Sequence, residues 1–292
     1  MGKSAQFFSG LIVSFIFFMQ SYSMEHRESL SHEEIIARLI AASENSLANN
    51  QPLLVTNTIR FWRKDECFGC PINTVSISLL DNEKTATLAI EYVKHWAKKL
   101  NGLLEWRVFP TTTPSTMGDI LLDNGFSFNG TVHVMIYNVG GEIYNLPISE
   151  PIVIERLSDI ELVPTWTKII QKAFNFFWRN QHAYQQYVEK GIGDDTAMAG
   201  ALEFYSGYYD RKLVGTGGLY IGDDCGHINA IATDKVFRGK GLATSMILTL
   251  LKRAQDLGLK HVLLQCDDST VNFYTKIGFK NAFDIKIYAL DE

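Results

Sequence analysis

Val236-Phe-Arg-Gly-Lys-Gly-Leu-Ala-Thr244 is the stretch on which the reading of this chain turns. It follows an apolar run, Ile228-Asn-Ala-Ile-Ala-Thr233. It leads into a segment with Leu242, Met246, Ile247, Leu250, Leu251, Ala254 and Leu257 at helical spacing. Strand, glycine-rich turn and helix in that order build an anion cradle from bare backbone. Gly239 and Gly241 let the chain turn tightly and bring N–H groups close to an anion. The helix beginning near Leu242 adds unpaired N–H groups and the positive end of its dipole, and Arg238 and Lys240 add fixed charge. Neither nucleotide fingerprint is present, since the stretch contains no G-x-G-x-x-G and no G-x-x-x-x-G-K-S/T. By itself the loop specifies an anion and nothing finer.

The pattern outward from the loop is regular. Ser31-His-Glu-Glu34 is a capping-box start for a helix to about Leu47. Asn57 to Arg63 and Asn73 to Leu80 read as strands around a turn at Glu66-Cys-Phe-Gly-Cys-Pro71. A helix follows with Ala86, Ala89, Ile90, Val93, Trp96, Ala97 and Leu100 on one face, ended by Asn101-Gly102. Leu103 to Phe109 is a strand, Pro114 to Leu122 a short helix, and Thr131 to Asn138 a strand. The stretch from Gly140 to Pro151 reads as a linker. Then come strand Ile152 to Arg156, a capping box at Ser158-Asp-Ile-Glu161, and a helix into Phe174. Phe174-Asn-Phe-Phe-Trp-Arg179 and a helix around Tyr184 to Glu189 precede the strands Ala201 to Tyr209, Lys212 to Ile221 and His227 to Thr233. After the loop helix stand strand His261 to Cys266, helix Ser269 to Ile277 and strand Phe279 to Leu290. Strands wrapped by helices in this order give an α/β or α+β sheet protein. Leu121-Leu-Asp-Asn-Gly-Phe126 and Tyr274-Thr-Lys-Ile-Gly-Phe279 each end a short helix in Gly-Phe and enter a strand ending Ile-Tyr. They stand about half a chain apart, and the order of elements around them matches, which points to duplication.

The chain has 292 residues, 46% of them hydrophobic and 20% charged, a length that favours two domains. A net charge of −5 and a pI near 5.8 argue against general nucleic-acid binding, which needs a basic face. Lys3, the apolar run Phe7 to Met19 and the small residues Ser21-Tyr-Ser23 make residues 1–23 a secretory-signal pattern too short for an ordinary membrane span. Met24 offers a second reading, a start site with no signal before it; an uncleaved membrane anchor stands behind both. The first places the protein outside the cytoplasm, the second inside. Cys67 and Cys70 form a C-x-x-C, but Cys225 and Cys266 are isolated, so no zinc set is expected and the pair reads as a turn.

Two motifs at their separation resemble the GNAT superfamily of acetyl-coenzyme A-dependent N-acetyltransferases. Arg238-Gly-Lys-Gly-Leu-Ala243 is similar to the family's Q/R-x-x-G-x-G/A pyrophosphate loop. Asn272-Phe-Tyr-Thr-Lys-Ile-Gly-Phe279 is similar to its second motif, a tyrosine followed shortly by Gly-Phe. The resemblance covers residues 151–292, and residues 30–140 resemble a degenerate second repeat that lacks the loop and has Leu121 where the tyrosine would be. It implies two GNAT-like domains, each a mixed, mostly antiparallel central sheet flanked by helices, with one acetyl-coenzyme A site and no metal. Gly239, Lys240, Gly241, Leu242, Ala243 and Thr244 with Arg238 would hold the pyrophosphate. Ile231, Ala232 and Thr233 would pair with the pantetheine arm, in a slot opened where that strand splays from His261 to Cys266. Tyr274 would protonate the departing thiolate. The acceptor would be a small-molecule or peptide amine, attacking directly.

Glu203 is the candidate base, against its plain reading as an exposed strand carboxylate. His227 is the weaker candidate, against a strand-end histidine with local hydrogen bonds. The aromatic run at Phe174 to Trp178 is expected to pack on the neighbouring repeat or line the acceptor pocket. Two departures stand out: Thr233-Asp-Lys235 replaces the V-x-P that often precedes the loop arginine, and Asp267 replaces a common asparagine. A non-catalytic acyl-coenzyme A sensor or scaffold is the competing class of function.

Overall fold

The structure is a computed structural model. It describes residues 30–31, 34–36, 50–55, 58–64, 72–100, 103–140, 151–174 and 202–290, with a few positions between 185 and 192. Outside the described residues lie residues 1–23, most of the helix expected after Ser31, the Cys67–Cys70 turn, most of the Gly140–Pro151 linker, the aromatic run after Phe174 and most of the Tyr184–Glu189 helix.

Among the described residues eleven strands form one sheet, in the order β1-β2-β3-β4-β11-β5-β10-β9-β8-β7-β6. The first half supplies β1 (Asn50–Val55), β2 (Ile59–Lys64), β3 (Ile72–Ser78), β4 (Leu103–Val108) and β5 (Ser127–Asn138), with helices α1 (Glu83–Leu100) and α2 (Met117–Asp123). The second half supplies β6 (Ile152–Arg156), β7 (Leu202–Tyr209), β8 (Lys212–Ile221), β9 (Cys225–Thr233), β10 (His261–Cys266) and β11 (Lys280–Leu290). Its helices are α3 (Val163–Phe174), α4 (Leu242–Asp256) and α5 (Val271–Ile277). The mixed sheet flanked by helices is the expected architecture, but in place of a separate sheet for each of two domains the strands of both halves join in one. The join is an exchange of final strands. β5 ends the first half but pairs antiparallel with β10, from His261↔Asn138 to Cys266↔His133. β11 ends the second half but lies between β5 and β4, antiparallel to both.

Alternation along the strands explains why these positions are stable. In β10, Val262, Leu264 and Cys266 pack under α4 and α5, while Leu263 packs on the opposite, α3 face. In β5, Val132 and Val134 face α3, while Met135 and Tyr137 face α4 and α5. Apolar side chains on both faces belong to interior strands. The α3 face is closed by Val163, Trp166, Ile169 and Ile170, and by Ile35 and Ile36 of the first half. The first half keeps its own core, with Trp106, Phe61 and Ile90 among its fully buried side chains.

The capping box at Ser31 forms: Glu34 N–H donates to Ser31 Oγ and Ser31 N–H to Glu34 Oε2. The one expected at Ser158 does not. Asp159 caps instead, accepting from Glu161 N–H, and a 3-10 turn at Ile160–Leu162 precedes α3. α1 buries Ala86, Ile90, Val93 and Ala97, a stripe too narrow to include Trp96, which is 37% exposed with Lys99 Nζ over its ring. No helix among the described residues is long and apolar enough to cross a membrane.

Candidate functional site

β9 and β10 pair in parallel only at Cys225↔His261, Gly226↔Val262 and His227↔Leu263. β9 then runs on to Thr233 and β10 to Cys266 with no pairing between them. The facing edges therefore present backbone donors and acceptors along a slot whose mouth carries the glycine loop. An extended chain carrying amides can add to such an edge as a strand does. Ile231, Ala232 and Thr233 lie on the β9 side of it.

The loop at the end of β9 has the conformation that its glycines allow. Gly239 has φ 76° and Gly241 has φ 87°, left-handed values that cost any other residue strain. Gly241 caps α4 without a side-chain hydrogen bond. The first bond at the start of α4 runs from Ser245 N–H to the Gly241 carbonyl, so the N–H groups of 239–244 precede the helical ladder. Alternating left-handed residues and an open helix start form an anion-binding concavity. The charged side chains of the loop are otherwise engaged. Arg238 Nε donates to the Thr233 carbonyl at 3.2 Å, and Lys240 Nζ stands 4.4 Å from the ring centre of Tyr209 and 5.3 Å from that of Phe237. The lysine that the sequence sets beside the anion thus rests on aromatic faces, while Arg238 is tied back to the end of β9 through Nε. The Thr233-Asp-Lys235 departure forms a 3-10 turn at Lys235–Phe237, with Asp234 accepting from Val236 N–H, so a cap supplies the stiffness that proline would.

Tyr274 of α5 is 8% exposed and sits in the core that α4, β10 and α5 share. Burial raises its pKa, and the Cys266 thiol and Asp267 add to the shift. The phenol stays protonated and can only donate near neutral pH. Cys266 is buried too, and burial pushes its thiol up to about 12, so it carries no nucleophilic thiolate. Asp267, the second departure, accepts from Ser269 Oγ at 2.6 Å and Thr270 Oγ1 at 3.0 Å. Its carbonyl accepts from Thr270 and Val271 N–H. The substituted acid is spent on starting α5.

Glu203 is neither exposed nor a free base. It is 2% exposed, and its carboxylate accepts from Arg253 Nη2 at 2.6 Å, Arg253 Nε at 3.0 Å and the Tyr205 hydroxyl at 2.7 Å. Arg156 Nη1 lies 3.6 Å away. Burial pushes its pKa up, but the bonds from Arg253 and Tyr205 and the charge of Arg156 and Arg253 outweigh it, and the net shift is downward. The general-base role expected of Glu203 does not fit these surroundings, which make it the tie between β7 and the end of α4. His227 is the last β9 residue paired with β10, and burial lowers its pKa to about 3. It is a neutral imidazole with little capacity to take a proton.

Two features of the site carry no sequence signal. Ala230 has φ 54° and forms a bulge in β9: the pairing with β8 jumps from Thr216↔Ala232 to Gly218↔Asn229, and Thr216 Oγ1 donates to the Ala230 carbonyl at 2.7 Å. The bulge turns β9 where the slot opens. The other is His133 of β5, placed beside Cys266 by strand exchange. Among the described residues no group of three or more His, Cys, Asp or Glu is placed to hold a metal.

The model of the Acetyltransferase (GNAT) family matches residues 164–279, the interval holding both the loop and Tyr274. A glucosamine 6-phosphate N-acetyltransferase of Schizosaccharomyces pombe is 32% identical over 103 residues, which span 30% of this chain and 93% of that protein. The glucosamine 6-phosphate N-acetyltransferase of Arabidopsis thaliana is 30% identical over 99 residues, 32% of this chain and 64% of that one. Solved structures match over both halves. A GCN5-related N-acetyltransferase from Kribbella flavida superposes with a TM-score of 0.63 at 11% identity, over 82% of this chain and 89% of its own. A tandem GNAT protein from the clavulanic acid biosynthesis pathway gives 0.59 at 11% identity, over 85% of each. A slot between parting strands and an uncapped helix start on left-handed glycines agree with these likenesses: the chain belongs to the GNAT family of acetyltransferases.

Proposed function

We propose that the second half binds acetyl-coenzyme A and transfers its acetyl group to the primary amine of a small polar acceptor. The parting of β9 from β10 after His227 and Leu263, with Gly239 and Gly241 at its mouth, carries the reading. The pantetheine arm lies along Ile231 to Thr233, and the pyrophosphate rests on the N–H groups of 239–244. The neutral amine attacks the thioester carbonyl carbon, whose oxygen takes negative charge opposite unpaired backbone N–H groups of the slot. The tetrahedral adduct collapses with loss of the C–S bond. The thiolate takes its proton from the Tyr274 phenol, the positively charged nitrogen of the adduct gives up its proton to water, and the phenolate regains a proton through water. No acyl group resides on the protein, in keeping with the inert Cys266. The relatives named above make glucosamine 6-phosphate the first acceptor to test.

Free-thiol release from acetyl-coenzyme A is to be followed over a panel of amines that includes glucosamine 6-phosphate. Calorimetry with acetyl-coenzyme A on wild type and Gly241→Glu accompanies it. Turnover with at least one amine, and at least about tenfold weaker cofactor binding in the variant, is expected, since a carboxylate in the loop opposes the pyrophosphate. A wild type that binds the cofactor but turns over no amine refutes the transferase reading. Unchanged binding by the variant refutes the loop assignment.

A further inference from the structure

The first half of the chain reaches the site through His133. This residue stands on β5 opposite Cys266 of β10 on one side and opposite Asp284 of β11 on the other. Its Nε2 is 2.8 Å from Asp268 Oδ1 and its Nδ1 is 2.8 Å from Asp284 Oδ1. We infer that His133 is a positioning residue for acetyl transfer: it fastens the turn from Asp267 to Thr270 and so fixes where α5 holds the Tyr274 hydroxyl. The inference rests on the role given to Tyr274 above.

The connection from Asp268 to α5 runs through the backbone of the turn. Asp268 lies inside the turn whose other members are tied to Asp267 by Ser269 Oγ, Thr270 Oγ1 and the N–H groups of Thr270 and Val271. Tyr274 N–H in turn donates to the Thr270 carbonyl. α5 has seven residues, so its start governs its direction. Asp284, the anchor on the far side, also accepts from Asn281 Nδ2 at 3.0 Å. Carboxylates only accept, so the ring satisfies both of them only with a proton on each nitrogen. Partial burial lowers the pKa of His133, but the two hydrogen bonds and the two negative charges outweigh it and leave it raised. The ionisable groups around the ring are Asp268 from the turn, Asp284 and Lys286 from β11, and Asp267 with the Cys266 thiol from the end of β10. The clamp is closed below that raised pKa. It opens as pH rises through it, because a neutral ring donates to one aspartate only.

Three variants test this: His133→Gln, His133→Lys, which keeps a cation in place, and Asp268→Asn. The Asp268 side chain is 81% exposed, so its replacement leaves the core intact. Turnover with acetyl-coenzyme A and the best amine of the panel is to be measured from about pH 6 to about pH 9, the interval a perturbed histidine crosses. Hydrogen exchange of residues 267–277 is to be measured on the same proteins without substrate. Expected are a fall in kcat of about tenfold for His133→Gln with KM for acetyl-coenzyme A within about twofold, and faster exchange in 267–277 for His133→Gln and Asp268→Asn with 242–256 unchanged. His133→Lys is expected to lose the alkaline fall in kcat that wild type shows. Unchanged kcat and pH profile in His133→Gln overturn the inference, and so does faster exchange without any change in kcat. A wild type inactive on every amine refutes the transferase reading instead. Exchange in 267–277 then decides the clamp: faster exchange in the variants supports it, and unchanged exchange overturns it.

Discussion

Burial acts on the Tyr274 phenol and the Glu203 carboxylate in the same sense, raising both pKa values, and their neighbours decide the outcome. Around Tyr274 the neighbours are a thiol and Asp267, which reinforce the shift, so the phenol is held as a donor. Tyr274→Phe should therefore lower kcat by about a hundredfold, the lower end for a lost acid, with KM for acetyl-coenzyme A nearly unchanged. Steady-state kinetics at saturating acceptor checks this, and an unchanged kcat would show that the tyrosine only packs. Around Glu203 the neighbours are cations and a phenol, which reverse the shift. Glu203→Gln should leave kcat within about threefold, which a general base would not allow. It should cost about 1–2 kcal/mol of stability, less than a fully buried pair because Arg253 is 37% exposed. The sign of its pH dependence follows from the lowered pKa. The stabilisation is present above the unfolded glutamate pKa and vanishes as pH falls through the lower folded value. Denaturant melts of wild type and Glu203→Gln should thus differ near neutrality and converge in acid.

The loop and α4 act as one element. Both glycines sit at positive φ, and a Cβ on Gly239 would meet nothing within 4 Å, so conformation rather than space excludes a side chain. Gly241→Ala should cost about 1 kcal/mol of stability and weaken acetyl-coenzyme A by more than a surface change would, because the strain falls on the N–H groups proposed to hold the pyrophosphate. Thermal melts with and without the cofactor separate the two effects: a cofactor-induced rise in Tm equal to that of wild type would remove the loop from the binding site. The turn and the course of α4 are legible in the sequence, since left-handed turns advertise themselves as glycine and an amphipathic helix as a period, but Leu257, in period with the buried face, lies at the C-cap and is 36% exposed. Ala230 takes the same left-handed region with no glycine to mark it, because the bulge is imposed by pairing with β8. β1 went unread for a related reason: its sequence, Asn50–Val55, has a proline and no clean alternation. Nothing local marks the burial of Glu203, whose surroundings depend on Arg253, fifty residues along the chain. Long-range partners of that kind leave no local pattern.

At the scale of the whole molecule, strand exchange makes each half incomplete alone. Without β5, β10 would have an open edge beside the slot. Without β11, Phe283, Ile285 and Ile287 would leave the core they share with α3, and Tyr288 would leave the core of the first half. Burying that much apolar surface is worth several kcal/mol at about 25 cal/mol per Å², before the ladder hydrogen bonds on both sides of each exchanged strand. Connection through the 141–150 segment should then matter little once the chain has folded. A protease site inserted there and cut in the folded protein should leave two fragments that co-elute on gel filtration and melt in one transition, with transferase activity retained. Each fragment made alone should fail to give a cooperative melt. Fragments that separate in native buffer after cutting would mean that β5 and β11 do not lie between the strands of the opposite half. The same experiment bears on why a half with no glycine loop is kept: it supplies the strand against which β10 stands when β9 turns away, and with it the histidine beside the start of α5.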